Sequence, residues 1–258
     1  MGPMSAIAPR THSWAVLAIQ VAFVAAILAM WQFSVSLGWI DSLFLAAPLA
    51  TARALIPTTI LAEPHLAATF SAFAVALVTG VLAALVVGLL VNTSRYTYTV
   101  FMPLLVLGVI IPKVTLLPLF VLWFGIEKAT IVVYGALSAF FPMVVNVSAA
   151  GQEVKPAQIT LARVMGYSKI QTYRKVIIPA MLPVLTSGLF YACNAALMGV
   201  FIVELALARF GIGAFVRNLA TTFRTPELYA AIILTSLITV IINMLLWSLA
   251  RRLGRWRA

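Results

Sequence analysis

Apolar residues run along this chain in stretches of about twenty, separated by short polar breaks. Runs of that length are what a helix needs to cross the roughly 30 Å hydrocarbon layer of a bilayer. Six such spans are predicted, at about residues 14–37, 67–91, 98–124, 129–149, 179–205 and 228–249. The fold class is therefore all-α: a polytopic membrane protein with about six transmembrane helices, forming one transmembrane domain over residues 1–258. The first span is too long for a signal-peptide core, and no small-residue cleavage site follows it. The segment Gly38–Leu66 holds three prolines and four charged or ionisable residues (Asp41, Arg53, Glu63, His65). It reads as a loop with room for a short surface helix. In the second span Gly80, Ala84 and Gly88 recur every four residues, a small-residue stripe that lets helices approach closely in lipid.

The third span departs from a plain apolar helix. It contains Pro103, Pro112 and Pro118, and its 27 residues would make a helix about 40 Å long. Each proline removes a helix hydrogen bond, so a break is expected near the middle, with Lys113 at it. Irregular backbone at membrane depth survives only inside protein or beside water. Lys113, Pro112 and Pro118 are thus candidates for a solute path, the alternative for Lys113 being a side chain that snorkels to the surface. The other polar residues of the spans are Gln20, Gln32, Asn146, Asn194, Glu204 and Asn243. Amides in such places act chiefly as interhelical hydrogen-bond partners; Asn146 and Asn194 are also kept as path candidates. Glu204, near the end of the fifth span, is expected to be solvated or paired with Arg209, with a place on the path as its alternative role.

Between the fourth and fifth spans lies a polar island, residues 150–178, with Glu153, Lys155, Arg163, Lys169, Arg174 and Lys175. Two short helices are predicted in it. Pro156 suits a first helical turn, Gly166 the residue just past a helix, and Ser168 with Gln171 has the spacing of a capping box. Ile159, Ala162 and Met165 share one face of the first helix. A helix–glycine–helix elbow between two spans is a part that can dock on something at the membrane surface.

Composition agrees with a lipid environment. Of 258 residues, 64% are hydrophobic and 9% charged, with a mean hydropathy of +1.11. The net charge of +11 would point to nucleic acid in a soluble protein; here the basic residues sit at span ends and read as topology signals, so no nucleic-acid partner is expected. With the N-terminus cytoplasmic, the inner segments hold eleven Lys and Arg residues: Arg10, Arg95, five in the island, and Arg251, Arg252, Arg255 and Arg257. The outer loops hold five: Arg53, Lys128, Arg209, Arg217 and Arg224. Both termini and the island are expected in the cytoplasm. The single Cys193 excludes an intrachain disulfide and a cysteine-based metal site. No phosphate-cradling G-x-x-x-x-G-K-[ST] loop occurs, and the six acidic residues are not paired within any span. Such a chain is not expected to be an enzyme, and uphill transport would draw its energy from a partner.

The island resembles the EAA loop of permease subunits from bacterial ABC-type importers, which reads E-A-A, three residues, Gly, nine residues, then I-x-L-P. Thr160, Leu161 and Ala162 occupy the first three places, Gly166 the glycine, and Val176, Ile178 and Pro179 the end. Thr160 replaces the acidic residue. The blocks PKVTLLPLFVLWFGI (112–126), FFPMVVN (140–146), LARVMGYSKIQTYRKVIIPAMLPVLTSGL (161–189) and RTPELYAAIIL (224–234) are similar to the branch that imports nitrate, sulfonates and taurine. This resemblance implies the type I importer permease fold in the bacterial inner membrane. It implies as partners two cytoplasmic ATPases, a second permease copy or paralogue, and a periplasmic or lipid-anchored solute-binding protein. ATP and Mg would be bound by the ATPase, and no cofactor by this chain. It assigns the ATPase-coupling contact to Thr160, Leu161, Ala162, Arg163, Met165, Gly166, Tyr167 and Ser168. The solute would be small and anionic. The competing reading is an ion-coupled secondary transporter or a channel subunit, which predicts a mid-membrane carboxylate site.

Overall fold

A computed structural model describes residues 13–154 and 156–254; Arg10, Lys155, Arg255 and Arg257 lie outside the described residues. Helix α1 (Ser13–Ser36) stands at the periphery, with side chains exposed on all sides and none buried. Contacts near its end tie it to the rest: Trp31 meets the ring of Tyr229 at 5.7 Å, and the Gln32 side-chain oxygen Oε1 accepts the Leu49 N–H at 3.1 Å.

That second contact caps α2 (Pro48–Val91), whose own N-cap residue Ala47 offers no side-chain acceptor. Here the structure corrects the sequence reading. The segment taken as a loop through Leu66 is helical from Pro48 onward, giving a 44-residue helix about 66 Å long. Pro48 occupies the first turn, where a missing N–H costs nothing. Pro57 and Pro64 lie inside the helix on an exposed stripe, seven residues apart. The opposite stripe, Thr51, Thr58, Ala62 and Thr69, is buried, and packing on that side holds the helix through the two missing hydrogen bonds.

After Asn92 the chain enters α3 (Arg95–Ile110), capped by the Ser94 hydroxyl accepting the Thr97 N–H at 3.0 Å. At Pro112 the helix ends. A 3₁₀ turn, Lys113–Leu116, leads into α4 (Leu117–Phe124), and the two halves are bent by 86°. The expected break therefore sits at the proline that carries it. Gly125, at φ +71°, closes α4.

Helix α5 (Lys128–Gln152) is the centre of the bundle. On one side it meets α2 through the small-residue stripe: a Cβ on Gly80 would lie 2.5 Å from the Ala136 oxygen, and one on Gly88 2.5 Å from Val147 Cγ1. On the other side it meets α8 (Ile178–Ala206), where a Cβ on Gly199 would lie 2.6 Å from Ser138 Oγ. Such close approaches are how helices associate when lipid is as apolar as the side chains. Ala76, Ala139, Val144, Ala196 and Val200 fill the seam, each essentially inaccessible.

Between α5 and α8 lie the short helices α6 (Pro156–Val164) and α7 (Lys169–Thr172), then a π-helical turn, Tyr173–Ile177, that runs into α8. Helix α9 (Ile212–Thr221) folds back on the end of α8, and α10 (Thr225–Gly254) completes the chain. Five helices of the described residues are long and apolar enough to cross a membrane, or six if the bent α3–α4 pair is one span.

Asn194 of α8 and Asn243 of α10 exchange two amide hydrogen bonds, 2.8 and 3.0 Å long. Asn194→Leu leaves Asn243 without its partner in an apolar seam. A loss of about 1 kcal/mol is expected, read as a lower melting midpoint in detergent, with Asn243→Leu giving the same loss and the double variant no more than either.

Candidate functional site

The elbow is built by local capping. Helix α6 ends in two bonds, Tyr167 N–H to the Ala162 carbonyl and Gly166 N–H to that of Arg163, both 3.0 Å, with Gly166 in the left-handed region at φ +77°. This is a Schellman turn, which satisfies carbonyls the helix would otherwise leave open. Ser168 and Gln171 then bond reciprocally: the Ser168 N–H donates to Gln171 Oε1 at 2.9 Å, and the Gln171 N–H to Ser168 Oγ at 3.3 Å. The capping box expected from their spacing is present. Lys175 lies over the Tyr167 ring at 5.1 Å and ties the end of the elbow to the π-helical turn.

Only Ala162 of α6 is buried. Ile159 is half-buried, whereas Met165, expected on the same face as Ile159 and Ala162, is 62% exposed. The helix ends at Val164, so Met165 has already left its axis toward the turn. Leu161 (60% exposed), Val164 (80%) and Ile170 (79%) join Met165 in an apolar patch at the tip of the elbow, flanked by the exposed Thr160, Arg163 and Ser168. Four large apolar side chains are thus exposed between the end of α6 and the start of α7.

At the opposite end of α8 the structure corrects the reading of Glu204. It is neither solvated nor paired with Arg209; it is 1% exposed. Its carboxylate oxygens lie 2.9 and 2.8 Å from Thr69 Oγ1 of α2, and one accepts the Gly213 N–H at 3.1 Å. Thr69 Oγ1 in turn accepts the Ile212 N–H at 2.9 Å. The carboxylate thus caps the positive end of α9 and satisfies N–H groups that a helix start leaves open. Gly211, at φ +120°, makes room: a Cβ there would lie 2.4 Å from Glu204 Cδ. His65 completes the cluster, with Nδ1 3.1 Å from the Gly211 oxygen and its ring stacked on Phe210 and Phe215. Arg217 of α9 donates to the Leu205 and Ala208 carbonyls at the end of α8. Sequence reasoning missed Thr69, His65 and Gly211 as partners of Glu204. The one available signal was a carboxylate followed within nine residues by Gly-Ile-Gly.

The remaining path candidates do not converge on one cavity. Lys113 is half-buried at the α3–α4 bend; its Nζ donates to the Val109 carbonyl at 3.3 Å and sits 5.6 Å from the centre of the Phe141 ring. Pro112 and Pro118 are exposed beside it. Asn146 bonds back to the Pro142 carbonyl and packs where Gly188 of α8 leaves space, since a Cβ there would lie 2.6 Å from Asn146 Cβ. Asn194 lines a cavity of about 270 Å³ between α2, α8 and α10. A larger cavity of about 680 Å³ opens between α2, the start of α5 and the end of α8, with Glu204 in its wall.

Residues 76–258 match the family described as the binding-protein-dependent transport system inner membrane component. The chain belongs to that family. It is a multi-pass membrane permease subunit of that inner-membrane component family. Among relatives, it is 27% identical over 235 residues to a putative aliphatic sulfonates transport permease protein of Bacillus subtilis, covering 90% of this chain and 85% of that one. It is 27% identical over 248 residues to the taurine transport system permease protein of Escherichia coli (92% and 89%). It is 30% identical over 193 residues to a formylaminopyrimidine transport permease protein of Halalkalibacterium halodurans (75% and 77%).

Proposed function

We propose that this permease is the membrane half of an ATP-driven importer, moving a small sulfonate or similar anionic solute from the periplasm into the cytoplasm. ATP and Mg belong to a separate ATPase, two copies of which seat on the elbows of two permease chains, and a solute-binding protein delivers the cargo at the other side. The observation that carries the coupling role is the exposed patch of Leu161, Val164, Met165 and Ile170 on a turn stiffened by the Schellman and capping-box bonds. A rigid tip seated in a partner's groove moves with that partner. The elbow continues through the π-helical turn into α8, and α8 packs along α5. ATPase closure therefore has a direct route to the core seam, where helices exchange between discrete packings rather than deform smoothly.

The orientation proposed with it puts the elbow and both termini in the cytoplasm, following the excess of basic residues there. Single cysteines introduced for Lys169 and Arg217, in a Cys193→Ala background, test it with a membrane-impermeant thiol reagent. In intact spheroplasts the expected result is labelling at 217 and none at 169; the reverse pattern overturns the assignment.

The α3–α4 bend is proposed as part of the gate, with Lys113 attracting the solute's negative charge toward it. The half-buried ammonium, held against the Phe141 ring, supports that role. Lys113→Met should then cut uptake at least about tenfold, the worth of one charge-assisted contact, while assembly with the ATPase is unchanged. Full uptake by the variant would assign Lys113 to anchoring alone.

A further inference from the structure

We propose that Asn92 is a positioning residue of the transport cycle: its side-chain amide latches the last turn of α5 to the end of α2 and so holds still the stem from which the elbow leaves. The inference rests on the ATP-driven reading above and goes past it by naming what fixes the elbow to the bundle.

The elbow packs little on the spans. Helices α6 and α7 rest chiefly on each other and on the π-helical turn. Within them only Ala162 and Thr172 are buried. A part held in this way is oriented by its two stems. The exit stem is the turn Tyr173–Ile177, in a π-helical geometry that is rare and collects at functional sites. The entry stem is the end of α5 at Gln152, four residues before Pro156 opens α6.

Asn92 follows α2 directly and lies half-buried against that entry stem. Its Nδ2 carries two hydrogens, and both are used. One goes to the Gly88 carbonyl of its own helix at 3.0 Å, the other to the Val147 carbonyl of α5 at 3.2 Å. Its Oδ1 accepts from Gln152 Nε2 at 3.1 Å. The amide sits hard against Gly151, where a Cβ would lie 2.5 Å from Asn92 Cγ and Nδ2. A cap for α2 alone needs only the bond to Gly88. The bonds to Val147 and Gln152, and the glycine at 151, serve the crossing to α5. The seam between α2 and α5 is already close at Gly80 and Gly88. Asn92 carries it on to the point where the elbow begins. With the last turn of α5 pinned, a pull on the elbow cannot be absorbed by peeling α5 from α2. It passes through the π-helical turn into α8. Without the latch the end of α5 gives first, and the elbow turns without moving the core seam.

The test uses the permease assembled with its ATPase in lipid nanodiscs, in a Cys193→Ala background. Spin labels on cysteines introduced for Thr93 and Glu153, both exposed, read the gap between α2 and the end of α5. A second pair, at Thr93 and Lys169, reads the elbow. Each pair is measured without nucleotide and after trapping with ATP, Mg and vanadate. With Asn92 and Gly151 in place, the elbow pair should shift on trapping and the 93–153 pair should not. Asn92→Asp is equal in size but cannot donate. Gly151→Ala evicts the amide without altering it. Each should raise the share of complexes whose 93–153 pair opens on trapping about fivefold, the weight of one net hydrogen bond. The two substitutions together should do no more than either, because both act on one contact. The ATPase should stay bound throughout, since the tip of the elbow is untouched. A 93–153 pair that opens as readily with the latch intact, or stays closed in both variants, would overturn the proposal. A lower melting midpoint with that pair still closed would do so too, leaving Asn92 a helix cap. An elbow pair that does not shift with the latch intact would remove the ATP-driven reading, and the latch with it.

Discussion

A permease carrying Leu161→Glu and Val164→Glu together should fold, insert and fail to hold its ATPase. The two side chains are 60% and 80% exposed, so the bundle loses no core contact. In a docked elbow the same positions are covered. Placing two carboxylates in an apolar groove costs several kcal/mol unless each finds a partner. The ATPase association constant should fall by roughly a hundredfold or more. Co-purification with tagged ATPase reads the loss directly, and uptake should vanish with it. The control is Leu161→Ala with Val164→Ala, which shrinks the patch without charging it and should weaken the contact more mildly. Retention of ATPase by the double glutamate variant would remove the elbow from the coupling role.

The second large effect is expected at the other end of α8. Glu204→Leu fills the volume with a side chain that accepts nothing, leaving the Gly213 N–H without its acceptor in a buried site and the Thr69 hydroxyl with the His65 carbonyl alone. An orphaned buried group costs about 1–3 kcal/mol, and α9 loses the charge at its positive end. A drop in melting midpoint of the order of ten degrees is expected, together with faster proteolysis around 207–222. Glu204→Gln keeps one acceptor and most of the shape, so it should recover much of the loss. Gly211→Ala should be as damaging as Glu204→Leu, because its Cβ would overlap Glu204 Cδ and φ +120° is a glycine conformation. If Glu204→Leu melts with wild type, the carboxylate is not the clasp that holds α9.

Which of these features can be read from the chain follows from the range of the interactions. The elbow was legible because its determinants are local: Ala162, Gly166 and Tyr167 close one turn, and Ser168 bonds Gln171 three residues on. The bend at Pro112 was legible because a proline removes its hydrogen bond whatever surrounds it. The length of α2 was not. Pro57 and Pro64 looked like breakers, and what carries the helix through them is tertiary packing of the stripe from Thr51 to Thr69. Glu204 was misread for the same reason: its partner Thr69 is 135 residues away, and only the fold brings α2, α8 and α9 together. Asn194 and Asn243, 49 residues apart, were legible as polar residues in spans but not as each other's partner.

The central claim is that this chain moves its solute only when an ATPase and a binding protein act with it. Its most direct test is uptake of radiolabelled 2-aminoethanesulfonate, with ethanesulfonate alongside, into proteoliposomes holding the permease and its ATPase, with binding protein outside and ATP inside. The account predicts accumulation that requires both ATP and binding protein and is unaffected by ionophores that collapse proton and sodium gradients. Uptake that proceeds without ATP and stops when those gradients are collapsed would contradict it and favour an ion-coupled transporter.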